Sequence, residues 1–185
     1  MGTLVQLFQQ RRSGSFEALL APHIEHLYRL AYRFTGNRPD AEDLVQDLLV
    51  KLYPRRAELA GIDYLQPWLV RTLYNLFIDA VRRAGRNPLA TASSDDTLPE
   101  LEAVPERDPE DLLLQQQLQQ ALLELNPDQR SLIVLHDIED YTLPELEQLL
   151  DTPIGTLKSR LHRARERLRA RLAMEPSGVR QRLVN

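Results

Sequence analysis

Between Lys158 and Arg171 the chain places seven cations (Lys158, Arg160, Arg163, Arg165, Arg167, Arg169, Arg171) against a single acid, Glu166. The whole 185-residue chain nevertheless carries a net charge of −4. A compact basic stretch in an acidic protein suits a site that grips a polyanion locally and does not coat it nonspecifically. The chemistry available is ionic and hydrogen-bonding. Guanidinium and ammonium groups meet phosphates, and an arginine can pair in bidentate fashion with a guanine edge. Nucleic acid is the leading partner.

Residues 141–169 read as two short helices joined by a tight turn. Thr142 and Glu145 have capping-box spacing, and Pro144 is tolerated in the first turn. Asp151, Thr152 and Pro153 form the turn, and a helix over about 154–172 follows, with Leu157, Leu161, Ala164 and Leu168 on its buried seam. A helix-turn-helix presents the first residues of its second helix to base edges in the major groove. Here those residues are Thr156, Lys158, Ser159, Arg160, His162 and Arg163. Arginines beyond 165 are equally well explained as a solvated helix end favoured by the macrodipole.

The elements that carry this pair are helical. Almost no segment alternates apolar and polar residues with period two, so the chain reads as all-α. In the first half, Ser15 caps a helix with Phe16, Leu19, Leu20, Ile24, Leu27, Ala31 and Phe34 on one face, stopped by Gly36. Asp40 is expected to cap a second helix over about 41–53, with Leu44, Val45, Leu48, Leu49 and Leu52 inward and Pro54 behind. Pro67 opens a third over 68–83, followed by Gly85, with Trp68, Leu69, Leu73, Leu76, Phe77, Ala80 and Val81 as its apolar stripe. Trp68 could stack on bases, but its place on that stripe favours packing. The second half begins with helices over 113–125 and 128–136.

Charge divides the chain in the same way. Residues 1–87 hold 12 basic and 9 acidic residues, 88–111 hold one and eight, and 112–185 hold ten of each. The proline-rich acidic middle lacks the apolar residues needed to offset ordering and reads as an extended linker between two small helical domains. A net charge of −7 there is also expected to discourage binding of the lone protein to DNA.

Two polar helix faces invite a functional reading. Glu42, Asp43, Gln46 and Asp47 lie opposite the leucines of the second helix, where a solvated face with acids favoured by the dipole is the plain explanation. Arg71, Asn75, Asp79 and Arg82 recur every three or four residues on the third. An i, i+3 ion pair accounts for Asp79 and Arg82. Asn75 is a poor helix former on an exposed face, and its amide can donate and accept at once to a base edge.

Other classes fit less well. The chain has no cysteine, so disulfides and thiolate metal sites are excluded. No apolar run approaches the roughly 20 residues that span a bilayer, and the first residues are too polar for a secretory signal, so a soluble cytoplasmic protein without membrane insertion is expected. Of four histidines, His23 and His26 have only Glu25 between them and no second cluster to complete a metal site. No Gly-rich phosphate loop or nucleophile motif occurs, so neither an enzyme nor a cofactor is expected. A helix-turn-helix repressor or activator with an N-terminal helical sensing domain is the alternative. It leaves the patterns at 40–53 and 68–83 as coincidence.

Three segments in order carry a family resemblance: 40–53 (DAEDLVQDLLVKLY), 68–83 (WLVRTLYNLFIDAVRR) and 153–165 (PIGTLKSRLHRAR), the last preceded by LNPDQR at 125–130. Together they resemble a bacterial RNA polymerase sigma factor of the sigma-70 family, extracytoplasmic-function (ECF) subfamily, over roughly 15–172. The resemblance implies region 2 at 15–86, an acidic linker at 87–111 and region 4 at 112–172. It implies a protein that binds core RNA polymerase and directs it to promoter DNA. Asp40, Glu42, Asp43, Gln46 and Asp47 would then dock on polymerase. Arg71, Asn75, Asp79 and Arg82, helped by the loop at about 55–66, would open the −10 element. Lys158, Ser159 and Arg163 would read the −35 element, with Arg160, Arg165 and Arg167 toward phosphates or solvent. It also implies an anti-sigma partner that occludes both domains. Two positions depart from the pattern. Glu147 stands where a small residue is usual, so a buried carboxylate is at issue, and Asp151 stands where the turn usually has glycine.

Overall fold

The computed structural model describes residues 15–86 and 109–173, which fall into two compact units divided between Ser93 and Ser94. Every regular element among the described residues is helical, in line with the all-α reading. Most of the acidic linker, and the tail after Glu175, lie outside the described residues.

In the first unit, α1 (Ser15–Thr35) and α2 (Arg38–Leu52) form an antiparallel pair against which α4 (Leu65–Arg86) packs. Gly36 makes the reversal possible. Its φ of 86° lies in the left-handed region, and its N–H closes α1 by donating to the Tyr32 carbonyl at 2.8 Å. Leu20, Leu27 and Phe34 of α1, Leu48 and Leu52 of α2, and Leu69 and Leu73 of α4 are buried at the centre. Phe34 stacks on Phe77 with ring centroids 5.2 Å apart, tying α1 to α4.

Three expectations about this unit change. Asn37, not Asp40, caps α2: its Oδ1 accepts from the Asp40 amide at 2.9 Å, and its Nδ2 donates to the Asp40 carboxylate at 2.7 Å. Asp40 is instead a first-turn acid, where the helix dipole favours it. Helix α4 starts at Leu65, ahead of Pro67, and runs through Gly85, so that glycine is interior and not a stop. The connection before it is not simply a loop. A 3-10 turn (Tyr53–Arg55) leads into the short helix α3 (Arg56–Leu59), which is pinned by the buried Leu59.

The second unit contains α5 (Pro109–Leu123), α6 (Pro127–Ile133), α7 (Leu143–Leu150) and α8 (Ile154–Ala173). Helix α5 begins inside the expected linker, at Pro109. Asn126 caps α6 by accepting from the Gln129 amide at 2.9 Å. The expected helix over 128–136 widens into a π-helical turn (Val134–Ile138), with the Glu139 amide reaching back to the Val134 carbonyl at 3.0 Å. Leu132, Val134, Leu135, Leu146, Leu157, Leu161 and Ala164 are buried in the core of this unit, where these helices pack together. Arg130 seals the α5–α6 junction. Its guanidinium donates to the carbonyls of Leu122 (3.0 Å), Leu123 (2.9 Å) and Leu125 (3.2 Å). Burial lowers its pKa below the ordinary arginine value.

Candidate nucleic-acid interface

Helices α7 and α8 form the expected pair. Thr142 Oγ1 accepts from the Glu145 amide at 3.4 Å, and the Glu145 carboxylate accepts from the Thr142 amide at 2.7 Å, completing the capping box. Hydrogen bonds from the Thr142 side chain and then its backbone hold the Glu145 carboxyl below the usual carboxylate range. Asp151 ends α7 in the left-handed conformation, φ 50° and ψ 47°, as its place in the turn requires.

Glu147 resolves differently from the concern about a buried charge. Its side chain is exposed, and Oε1 accepts a hydrogen bond from the Ile154 amide at 3.0 Å, the first residue of α8. Its backbone carbonyl also accepts from Asp151 and Thr152. One residue therefore closes both sides of the turn. This bond also occupies the first amide of α8.

On α8, Leu157, Leu161 and Ala164 are buried against the unit, while Lys158, Ser159, His162 and Arg163 are exposed on the other side. Thr156 and Arg160 are half-buried at the flanks. Ser159 Oγ donates to the Thr156 carbonyl at 2.9 Å, and Arg163 Nε to the Ser159 carbonyl at 3.2 Å. These contacts are to the helix's own backbone and leave charge and further donors directed outward. Lys158 and His162 also border a cleft of ≈ 240 Å³ with His136 and Arg165, so the basic surface is concave on one flank.

The later arginines serve the unit's own structure. Arg165 binds Asp137 of the π turn through two nitrogens, at 3.0 and 2.5 Å, which raises its pKa above the ordinary value. Arg167 donates to the buried Gln129 at 3.0 Å, and Arg171 to Glu124 of the α5–α6 connection at 2.6 Å. Arg165 and Arg167 had been assigned to phosphate or solvent. Their contacts, 28 and 38 positions away, are invisible to local sequence reading.

In the first unit, Arg71, Asn75, Asp79 and Arg82 are all exposed on one side of α4, with Arg82 and Asp79 3.8 Å apart as their spacing suggested. Trp68 is only half-buried, with the Arg55 guanidinium 5.8 Å above its ring. On α2, Asp40, Asp43, Gln46 and Asp47 are exposed, whereas Glu42 is half-buried and paired with Arg38 at 2.8 Å. Sequence reasoning missed two exposed apolar residues beside these faces. Val50 is 66% exposed at the end of the acidic face of α2, and Tyr64 is 79% exposed just before α4. Each breaks the local polar pattern, which was the available signal.

Two separate exposed faces on one small unit and a basic, solvent-facing helix on another ask for a family built that way. Residues 19–87 match the family model Sigma-70 region 2, and residues 115–168 match Sigma-70, region 4. The chain is 38% identical over 173 residues to the ECF RNA polymerase sigma factor SigE of Mycolicibacterium smegmatis, covering 93% of this chain and 67% of that protein. It is 32% identical over 172 residues to the ECF RNA polymerase sigma factor SigW of Bacillus subtilis, covering 85% and 89%. The chain belongs to the ECF sigma factors.

Solved structures agree. The sigma factor RpoE of Bartonella quintana, determined in complex with the anti-sigma factor NepR, matches with a TM-score of 0.67 at 28% identity, over 86% of this chain and 98% of that one. CnrH, in complex with the cytosolic domain of CnrY, shares the fold at 24% identity and a TM-score of 0.56, over 93% and 96%. As an ECF sigma factor the protein supports promoter-directed transcription initiation by RNA polymerase. That family acts as a regulator of transcription and not as a catalyst. The repressor alternative is set aside by the region 2 match, which accounts for the segments it left unexplained. Among the described residues, no helix is long and apolar enough to cross a membrane.

Proposed function

We propose that this ECF sigma factor reads a −35 element with α8 and a −10 element with α4, while α2 docks on core polymerase. The observation that carries the proposal is the division of α8. Lys158, Ser159 and Arg163 are exposed within its first three turns, while the arginines beyond them are engaged in the unit's own structure. Lys158, Ser159 and Arg163 contact bases, and Thr156, Arg160 and His162 border them.

Residues 15–86 act as the polymerase and −10 unit, and residues 112–172 as the −35 unit. Asp40, Asp43, Gln46 and Asp47 form the polymerase face, with Glu42 contributing through its pair with Arg38 and Val50 adding an apolar contact. Arg71, Asn75, Asp79 and Arg82 face the melted −10 strand, whose extruded base costs a few kcal/mol that pocket and backbone contacts must offset. Tyr64 supplies an exposed ring for stacking at that place. The protein works in the cytoplasm, and an anti-sigma factor is its regulatory partner. The structure of a similar sigma factor, captured with an anti-sigma factor, supports that reading.

Mixing the purified chain with core polymerase tests the proposal. Co-elution and run-off transcription from a selected promoter are expected. A chain that binds duplex DNA alone and ignores core enzyme would refute it.

A further inference from the structure

Helix α8 starts without a side-chain cap of its own. The residue before Ile154 is Pro153, which has no side-chain acceptor, although its carbonyl receives the amides of Thr156 (2.9 Å) and Leu157 (3.0 Å). Helix starts normally recruit Ser, Thr, Asp or Asn to satisfy a first-turn amide. Here the acceptor comes from the preceding helix. Glu147, seven residues upstream, spans the turn and takes the Ile154 amide at 3.0 Å.

That bond has geometric consequences beyond capping. The Glu147 carbonyl already holds the amides of Asp151 and Thr152 (3.3 Å for the second), so backbone and side chain of one residue fix both the exit from α7 and the entry to α8. Thr156, Lys158 and Ser159 lie within the first two turns after the capped amide. Their reach into a groove depends on where that first turn starts and how firmly it is held. The carboxylate also places a negative charge at the positive helix end, a position that otherwise attracts phosphate.

We infer that Glu147 is a positioning residue for −35 recognition: it sets the entry of the reading helix and keeps that helix's first amide from a sequence-independent phosphate contact. Base contacts farther along α8 are thereby left to decide which duplex is held. The inference rests on α8 being the −35 reader. It attaches to this chain's own departure from the usual small residue at this position.

The test uses holoenzyme assembled from core polymerase and full-length chain, scored as the ratio of affinities for promoters with matched and scrambled −35 elements. Glu147→Gln keeps an acceptor and is expected to hold the ratio within about twofold of the parent. Glu147→Ala removes the acceptor and is expected to reduce the ratio about three- to tenfold, the range a lost cap covers. Part of that fall should come from tighter binding to the scrambled element. Should Glu147→Ala not fold, Glu147→Met replaces it, with similar length and no acceptor. An unchanged ratio in the acceptor-less variant, with only a lower melting temperature, overturns the inference, as does a Gln variant that falls equally far. Parent holoenzyme indifferent to the −35 sequence would overturn the reader assignment itself, a failure visible before any variant is made.

Discussion

Arg165 and Asp137 form a two-pronged ion pair across 28 positions of sequence, Nε to Oδ2 at 3.0 Å and Nη2 to Oδ1 at 2.5 Å. It fastens the middle of α8 to the π-helical turn that follows α6. His136 Nδ1 lies 3.1 Å from the same Asp137 oxygen, so the carboxylate has a second neighbour. Because both partners are part-exposed, solvent screens the attraction, and a double-mutant cycle with Arg165→Gln and Asp137→Asn should return a coupling of about 0.5–1 kcal/mol. Urea unfolding of the four proteins measures it. The same Arg165→Gln protein should bind −35 DNA in holoenzyme within about twofold of the parent, since the proposal gives that side chain no base.

Lys158→Ala and Arg163→Ala should each cost about 1–3 kcal/mol of discrimination at the base pair that the lost side chain reads. Competition between matched and singly substituted −35 duplexes, with holoenzyme, checks this. A loss of equal size on every duplex would move that residue from base to phosphate.

Arg130 makes a different kind of claim. It donates to three carbonyls at the end of α5 and the turn after it, of which that of Leu122 also accepts from the Leu125 amide at 3.1 Å. Arg130→Met should destabilise the second unit by about 2 kcal/mol by removing a donor from the carbonyls of Leu123 and Leu125. Arg130→Lys should recover only part, because a point charge cannot serve three directions as a planar fork does. Thermal unfolding followed by circular dichroism distinguishes the two.

The capping box gives a pH signature. The Glu145 carboxyl sits below its ordinary range when folded, because it accepts from Thr142, so the contribution is present above the unfolded value of about 4.3. It is lost as pH falls through the lower folded value. Parent and Glu145→Gln should therefore differ in melting temperature at neutral pH and converge as the solution is taken below about pH 4. A difference that persists unchanged into acid would mean that the carboxylate is not what holds the cap.

On α2, converting Asp43 and Asp47 together to asparagine should weaken core polymerase binding on the order of tenfold, chiefly through slower association. Glu25, exposed on α1 and paired with Arg29 at 2.7 Å, provides the control, and Glu25→Gln should leave binding unaltered. Surface plasmon resonance on immobilised core enzyme reads both rates.

How much of this was legible beforehand depends on the range of the interaction. Periodicity placed Leu44, Leu48, Leu73 and Leu161 inside because burial is a property of a helix face. The box at Thr142 and the left-handed Asp151 were legible because three or four residues determine them. The cap of α2 was misplaced by three residues because Asn37 and Asp40 are both good caps, and Pro39 between them is the feature that favours the earlier one. The partners of Arg165, Arg167 and Arg171 could not be read, since long-range pairing leaves no local spacing. Glu147 lay between these cases. A proline in the capping position of α8 left an amide without an acceptor, and a carboxylate within reach across the turn was the complement to look for.

Those arginine anchors bear finally on how the protein should respond to ions in its surroundings. Nucleic acid carries condensed counterions, and each phosphate neutralised by a protein cation releases some of them, making affinity fall with added salt. Arg165, Arg169 and Arg171 already face Asp137, Glu166 and Glu124. The basic run that dominates the sequence thus displaces fewer counterions than its charge count suggests. If α8 reads DNA as proposed, its hold should persist across a wider span of ionic strength than seven cations would predict.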